Sequence, residues 1–140
     1  MNINTEFLTR CIDTLEVALE QLQQYDVDGI SYDIYRAACV KEFELVLEQS
    51  GSLLKRRLRP YFASNREADR LTFKNLFRHA AKHGLISVES CERWLEYRDN
   101  RNDTAHQYGE GFAETTLKLL PQFIADAKEL AQVITEGEDD

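Results

Sequence analysis

Apolar residues recur in steps of three and four along almost the whole chain, and strict apolar/polar alternation is nearly absent, so the pattern predicts helices rather than strands. A first helix from residue 4 or 5 to 24 places Leu8, Cys11, Ile12, Leu15, Ala18, Leu19 and Leu22 on one face and acidic or amide residues opposite. The Asp- and Gly-bearing turn at 25–30 ends it. Ser31 is a good N-cap for a second helix, whose stripe Ile34, Ala38, Phe43, Val46, Leu47, Leu54 and Leu58 runs to a stop at Pro60. Gly51 inside that helix costs roughly 1 kcal/mol against Ala, which points to a bend or a close helix contact there.

Residues 61–71 read as an exposed basic connection. A short third helix is capped by Thr72 and closed by Gly84, with Phe73, Leu76, Phe77, Ala80 and Ala81 inward. A fourth starts after Ser87 and reaches about Gln107, where Gly109 and Gly111 break it. A fifth covers 112–134, with Pro121 kinking or splitting it and Leu120, Phe123, Ile124, Ala127, Leu130, Ala131 and Ile134 as its stripe. Four long stripes joined by short loops predict an all-α, up-and-down bundle of four to five helices. Residues 1–135 are expected to form a single domain and 136–140 a disordered acidic tail. Polar interruptions of the fourth stripe suggest edges that meet across a two-fold axis, and a homodimer is the default assembly.

The chain has 140 residues, enough for one sizeable core. No apolar run approaches the roughly 20 residues of a membrane span, and the N-terminus lacks a signal-peptide pattern, so a soluble cytoplasmic protein is expected. Cys11, Cys39 and Cys91 are odd in number and each set in an apolar stripe, which suits reduced core residues. The net charge of -8 argues against indiscriminate nucleic-acid binding. Charge is nonetheless segregated: residues 1–50 are net -7, 51–83 net +7, 84–109 net -2 and 110–140 net -6. The basic block is Lys55, Arg56, Arg57, Arg59, Arg66, Arg70, Lys74, Arg78 and Lys82. Such a patch can attract and orient polyanions, or can be a solvated or dimer-facing surface paired with the acidic helices.

The most informative segment is Arg101-Asn102-Asp103-Thr104-Ala105-His106-Gln107-Tyr108. Continuing the inward stripe Cys91, Trp94, Leu95 in steps of three and four reaches Arg98, Arg101, Asn102, Ala105 and His106, where a core helix would carry Leu. Burying unpaired charge costs several kcal/mol, so this half of the helix should face a wet cleft or a partner surface. His106 can exchange protons near neutral pH, and Arg101 can bridge phosphate oxygens. The plainer reading is that Arg101, Asp103 and His106 form a satisfied polar network and Tyr108 packs at a helix end.

Arg101-x4-His106-x-Tyr108 resembles the R-x4-H-x-Y motif of the HEPN toxins that pair with minimal nucleotidyltransferase antitoxins. Lys41-Glu42-Phe43-Glu44-Leu45, Gly84-Leu85-Ile86, Trp94 and the Arg101-Asn102 pair resemble the related nucleotidyltransferase substrate-binding subunits. The resemblance spans roughly residues 30–135. It implies a HEPN-like bundle whose dimer lines one cleft with two Arg-His motifs, metal-independent RNA cleavage without a cofactor, and a nucleotidyltransferase partner. It makes Arg101 and His106 the candidate catalytic pair, Asn102 and Asp103 supporting residues, and Tyr108 the target of adenylylation by the partner. Arg56, Arg57, Arg59 and Arg78 are the candidate RNA contacts. The alternative within the resemblance is a non-catalytic subunit that presents a nucleotide or substrate to a separate nucleotidyltransferase.

His79 and His83 have a zinc-compatible i, i+4 spacing, but no H-E-x-x-H surrounds them, and Arg78 and Lys82 repel a cation. No metal site is therefore expected. No Gly-rich phosphate loop is present to support nucleotidyl transfer by this chain itself.

Overall fold

The computed structural model describes residues 3–104 and 110–136, with side chains for 3–101 and 114–136. Among these, no strand occurs, and six helices form: α1 (Glu6–Leu22), α2 (Ile30–Leu58), α3 (Asn65–Asp69), α4 (Phe73–Lys82), α5 (Val88–Thr104) and α6 (Glu110–Glu136). No described helix is long and apolar enough to cross a membrane.

Cross-helix pairs fix the directions. Lys128 Nζ meets Glu16 Oε2 at 2.8 Å and Thr5 bonds Thr135, so α1 and α6 run antiparallel. Tyr32 donates to Glu114 while Phe43 packs edge-on against Phe123 at 4.7 Å, so α2 and α6 run parallel. Arg93 binds Asp126 and Asn100 binds Thr116, so α5 opposes α6. The four long helices thus alternate in chain order as an up-and-down bundle. The shorter α4 runs beside the second half of α2 in the same direction, because Phe73 lies against Gly51 and His83 against Tyr61.

The apolar stripes of α1, α4 and α6 are buried as their spacing predicts. Leu8, Leu15, Phe77, Ala80, Leu120, Phe123, Ala127 and Ile134 are fully enclosed. Five rings, Phe43, Phe77, Trp94, Tyr97 and Phe123, knit α2, α4, α5 and α6 together with centroid separations of 4.7 to 5.6 Å. Edge-to-face pairs of this kind add about 0.5–1.5 kcal/mol each beyond the area they bury.

The punctuation follows local chemistry. Thr72 Oγ1 accepts from Asn75 N at 3.2 Å and caps α4, and Ser87 Oγ accepts from Ser90 N at 3.0 Å at the start of α5. Gly84 closes α4 at φ 76°, where Leu85 N donates to Ala80 O at 2.9 Å. That positive φ is why glycine stands there.

Other boundaries differ from the sequence pattern. α2 starts at Ile30 after an extended Gly29, so Ser31 is inside the first turn and does not cap it. Ile34 is 59% exposed, and Tyr32 is buried in its place. Two positions separate them, about 200° of helix, so both cannot face the core. The 61–71 connection is largely exposed but contains structure. A 3-10 turn at Arg59–Tyr61 precedes α3, which is capped by Ser64 and anchored by the buried Ala68. α6 begins two residues earlier than expected, with Gly111 in its first turn, and Pro121 on its exposed side does not split it. It continues to Glu136, and residues 137–140 lie outside the described residues.

Gly51 is the close contact its position implied. A Cβ built there would lie 2.8 Å from Phe73 Cδ2 and 2.9 Å from Cε2. Gly51→Ala gains about 1 kcal/mol of helix propensity, but displacing a packed ring costs about 1–3 kcal/mol. The variant is expected to melt below wild type by thermal unfolding, and Phe73→Leu added to it should recover part of the loss.

Candidate functional site

α5 carries the described part of the candidate site, and what fixes α5 is a buried carboxylate on α6. Asp126 interrupts the apolar stripe of α6 and is 2% exposed. Arg93 grips it bidentately, Nε to Oδ2 and Nη2 to Oδ1, both at 2.8 Å. Tyr97 donates its hydroxyl to Oδ2 at 2.6 Å, and Gln122 donates to Oδ1 at 3.2 Å. Burial alone would raise the Asp126 carboxyl, but the bonds from Arg93, Tyr97 and Gln122 outweigh it and hold the group below the ordinary value. Burial and the bond to Asp126 push the Tyr97 phenol well above the usual range.

One turn further along, Asn100 Nδ2 donates to Thr116 Oγ1 at 2.9 Å, both residues being buried. Arg101 leaves the helix from the next position. Its side chain is 35% exposed, and its Nε lies 4.0 Å from Glu44 Oε1 on α2, at the outer limit of an ion pair. Exposed pairs this loose contribute about 0–1 kcal/mol, so the guanidinium can exchange Glu44 for another anion at small cost. On the same side of α5, the Arg98 guanidinium carbon sits 5.1 Å from the Phe73 ring centre, and Lys74 Nζ meets Asp99 Oδ1 at 2.6 Å. Arg98 and Arg101 thus form a cationic edge where α5 meets α4 and α2, while Lys74 is paired with Asp99.

Of the expected site residues, Arg101 stands on a fixed, accessible turn. Asn102 and Asp103 belong to α5, but their side chains are outside the description, and His106 and Tyr108 lie outside the described residues. The inward stripe of α5 differs from the pattern. Cys91 and Trp94 are followed by Tyr97 and Asn100, whereas Arg98 and Arg101 are only half-buried. The polar groups in the core of α5 therefore meet α6 rather than a cleft. The sequence did carry a sign of this, a lone Asp within the apolar stripe of the last helix.

The candidate RNA contacts are dispersed over a different face. Arg57 lies over the Tyr61 ring at 5.9 Å, Arg59 pairs with Asp69 at 3.5 Å, and Arg78 donates to Asn75 at 2.9 Å. Arg56 is half-buried and enters no ion pair among the described residues. His79 and His83 pack on Phe62 and Tyr61, at 5.1 and 4.1 Å between ring centres. The three cysteines are free and buried, and burial pushes the Cys39 thiol up to about 11.

Residues 4–136 match the family described as nucleotidyltransferase substrate binding protein like. The chain belongs to that family. A curated relative, "Probable ribonuclease HepT" of Haemophilus influenzae, is 27% identical over 138 residues, covering 96% of this chain and 93% of the relative. The solved HI0074 structure, also from Haemophilus influenzae, superposes with a TM-score of 0.80 at 26% identity, covering 94% of this chain and 98% of that one. It is described as revealing the fold of a substrate binding domain of a nucleotidyltransferase. These likenesses place the all-helical bundle within the HEPN and nucleotidyltransferase substrate-binding family that the Arg101–Tyr108 motif resembles.

Asp126→Asn leaves the Arg93 guanidinium and the Tyr97 hydroxyl without their carboxylate. It is expected to cost about 3 kcal/mol at neutral pH, on the order of 10 °C in melting temperature. Because the folded pKa lies below the ordinary 3.8, the contribution is complete above that value and is lost as pH falls through the folded-state pKa. Urea unfolding from pH 7 into the acid range should show the difference between wild type and Asp126→Asn shrinking. A constant gap would assign the acid loss to other carboxylates.

Proposed function

We propose that this chain is a metal-independent endoribonuclease of the HEPN type, with Arg101 and His106 of two copies lining one cleft. The observation that carries the reading is the state of Arg101. It is a permanent cation on a helix turn pinned by Asn100 and Tyr97, a third exposed, and, among the described residues, held only by a long contact to Glu44. A pinned but weakly neutralised guanidinium is suited to a phosphate. In the proposed reaction His106 takes the ribose 2′-hydroxyl proton, and the 2′-oxygen attacks the adjacent phosphorus. The 5′-oxygen then leaves with a proton from the partner copy's imidazolium, which becomes neutral, and a cyclic phosphate end results. Arg101 stabilises the added negative charge on the phosphorane. Asn102 and Asp103 orient the pair.

The control proposed for this site is adenylylation of Tyr108 by a partner nucleotidyltransferase. A nucleotide phosphate placed seven residues after Arg101 would compete with RNA for the same cation. The second reading, a non-catalytic subunit that presents a nucleotide or substrate to a separate nucleotidyltransferase, is favoured by the family description and by that of HI0074.

RNA cleavage in excess EDTA separates the two, using protein made without any nucleotidyltransferase. His106→Ala should lose about 10²–10⁴-fold in rate and Arg101→Ala about 10²–10³-fold, with both variants folded. Equal activity in wild type and both variants, or none in wild type, favours the binding subunit. Arg56, Arg57 and Arg59 changed together to Ser should weaken RNA binding and flatten its dependence on salt concentration. Unchanged affinity would assign these arginines to packing.

A further inference from the structure

Nine cations and two carboxylates fall within residues 51–83, and among the described residues Lys74 is the only one of the nine paired with a carboxylate from outside the block. Arg59 pairs with Asp69 of the block itself, and Lys74 pairs with Asp99. Among the described residues, Lys55, Arg56, Arg66, Arg70 and Lys82 enter no ion pair. The acidic face of α1 finds its cation on α6 instead, through Lys128 and Glu16. The block therefore keeps its positive field.

Within that field the chain sets out rings. Tyr61 and His83 lie face to face, 4.1 Å between centres and 17° from parallel. His79 continues the series, 6.4 Å from His83 and 20° from parallel, with Phe62 edge-on behind it. The Arg57 guanidinium is 5.9 Å from the Tyr61 centre, and its Nε is buried without a hydrogen-bond partner among the described residues. Tyr61 is 42% exposed and His83 is exposed, so neither ring is spent on the core. Pro60 holds the 3-10 turn that presents Tyr61, and the Gly84 stop holds the helix end that presents His83. A pre-set aromatic and imidazole stack with Arg57 on one ring and Lys82 next to the other in sequence, neither in an ion pair among the described residues, has the composition of a single-strand nucleic-acid platform, where bases stack on rings and cations follow the backbone.

We propose that the Tyr61–His83 pair is a binding site for single-stranded RNA, stacking an unpaired base while Arg56, Arg57 and Lys82 meet the flanking phosphates. The inference rests on the reading of the chain as RNA-directed and adds where the strand is held. α4 connects this platform to the cationic edge. Its last turn leads to His83, and its first residue, Phe73, carries Arg98, one turn before Arg101. The two ends of α4 are on the order of 15 Å apart, a gap that a short run of unpaired nucleotides crosses. The platform would thus select single-stranded substrate and set its approach to the Arg101 end.

The test is fluorescence anisotropy of the full chain with a short fluorescein-labelled RNA single strand and with its duplex, beside cleavage of the same strand in EDTA. The single strand should bind more tightly than the duplex. Tyr61→Ala and His83→Ala should each weaken binding to it about tenfold, while Tyr61→Phe, which keeps the ring, should bind like wild type. Tyr61→Ala should also raise KM for cleavage with kcat unchanged. Wild-type affinity in both alanine variants, or a preference for duplex, overturns the platform even if cleavage persists. If wild type cleaves no RNA and binds no single strand, both the platform and the nuclease reading fall.

Discussion

A carboxylate taken out of water must be met by charge and hydrogen bonds, and Asp126 is met chiefly by Arg93 and Tyr97 of α5, with Gln122 of its own helix beside them. Removing Arg93 would strand the buried carboxylate at a cost of about 3–5 kcal/mol, so α5 has little freedom to rotate or slide against α6. Asn100 and Thr116 repeat the constraint one turn on with neutral groups. The helix that carries Arg101 is therefore positioned by polar bonds of defined geometry. The apolar residues on its other contacts, Trp94 above all, could be satisfied by several neighbouring registers.

The same bonds account for where Arg101 points. α5 directs Arg93, Tyr97 and Asn100 toward α6, which leaves Arg98 and Arg101 toward α4 and α2. There Phe73 supports the first, and Glu44 loosely restrains the second. Phe73 can hold that place because Gly51 gives its ring room against the α2 backbone. A glycine in the middle of a long helix, costly for that helix alone, thus helps place a cation on a different one.

The five longer helices and most of the core, though not the short α3, were legible in the sequence, because a stripe such as Leu120, Phe123, Ile124, Ala127, Leu130, Ile134 has one physical explanation. The caps at Thr72 and Ser87 and the stop at Gly84 were legible for the same reason. Tyr32 and Ile34 show where legibility ends: both are large and apolar in part, and only packing against α6 decides which faces inward. Tyr97 and Asn100 were hidden by the choice between two continuations of one stripe, since steps of three and four from Trp94 diverge after a turn. Long-range polar pairs such as Arg93 with Asp126 have no local signal apart from the charge that interrupts a stripe. Arg101 is singled out in the sequence by its motif, whereas the loose hold of Glu44 on it belongs to tertiary geometry.

Trp94 is the chain's one tryptophan, and it is enclosed between Phe77, Tyr97 and Phe123 where α4, α5 and α6 converge. Its indole is shielded from solvent and surrounded by apolar rings, so its emission belongs to the short-wavelength, unrelaxed class, and excitation of Tyr97 can transfer to it. The molecule therefore carries an intrinsic optical reporter at the junction that sets the α5 register, one helical turn from Arg98. Any event that shifts α5 against α6 changes the colour of that light without a label.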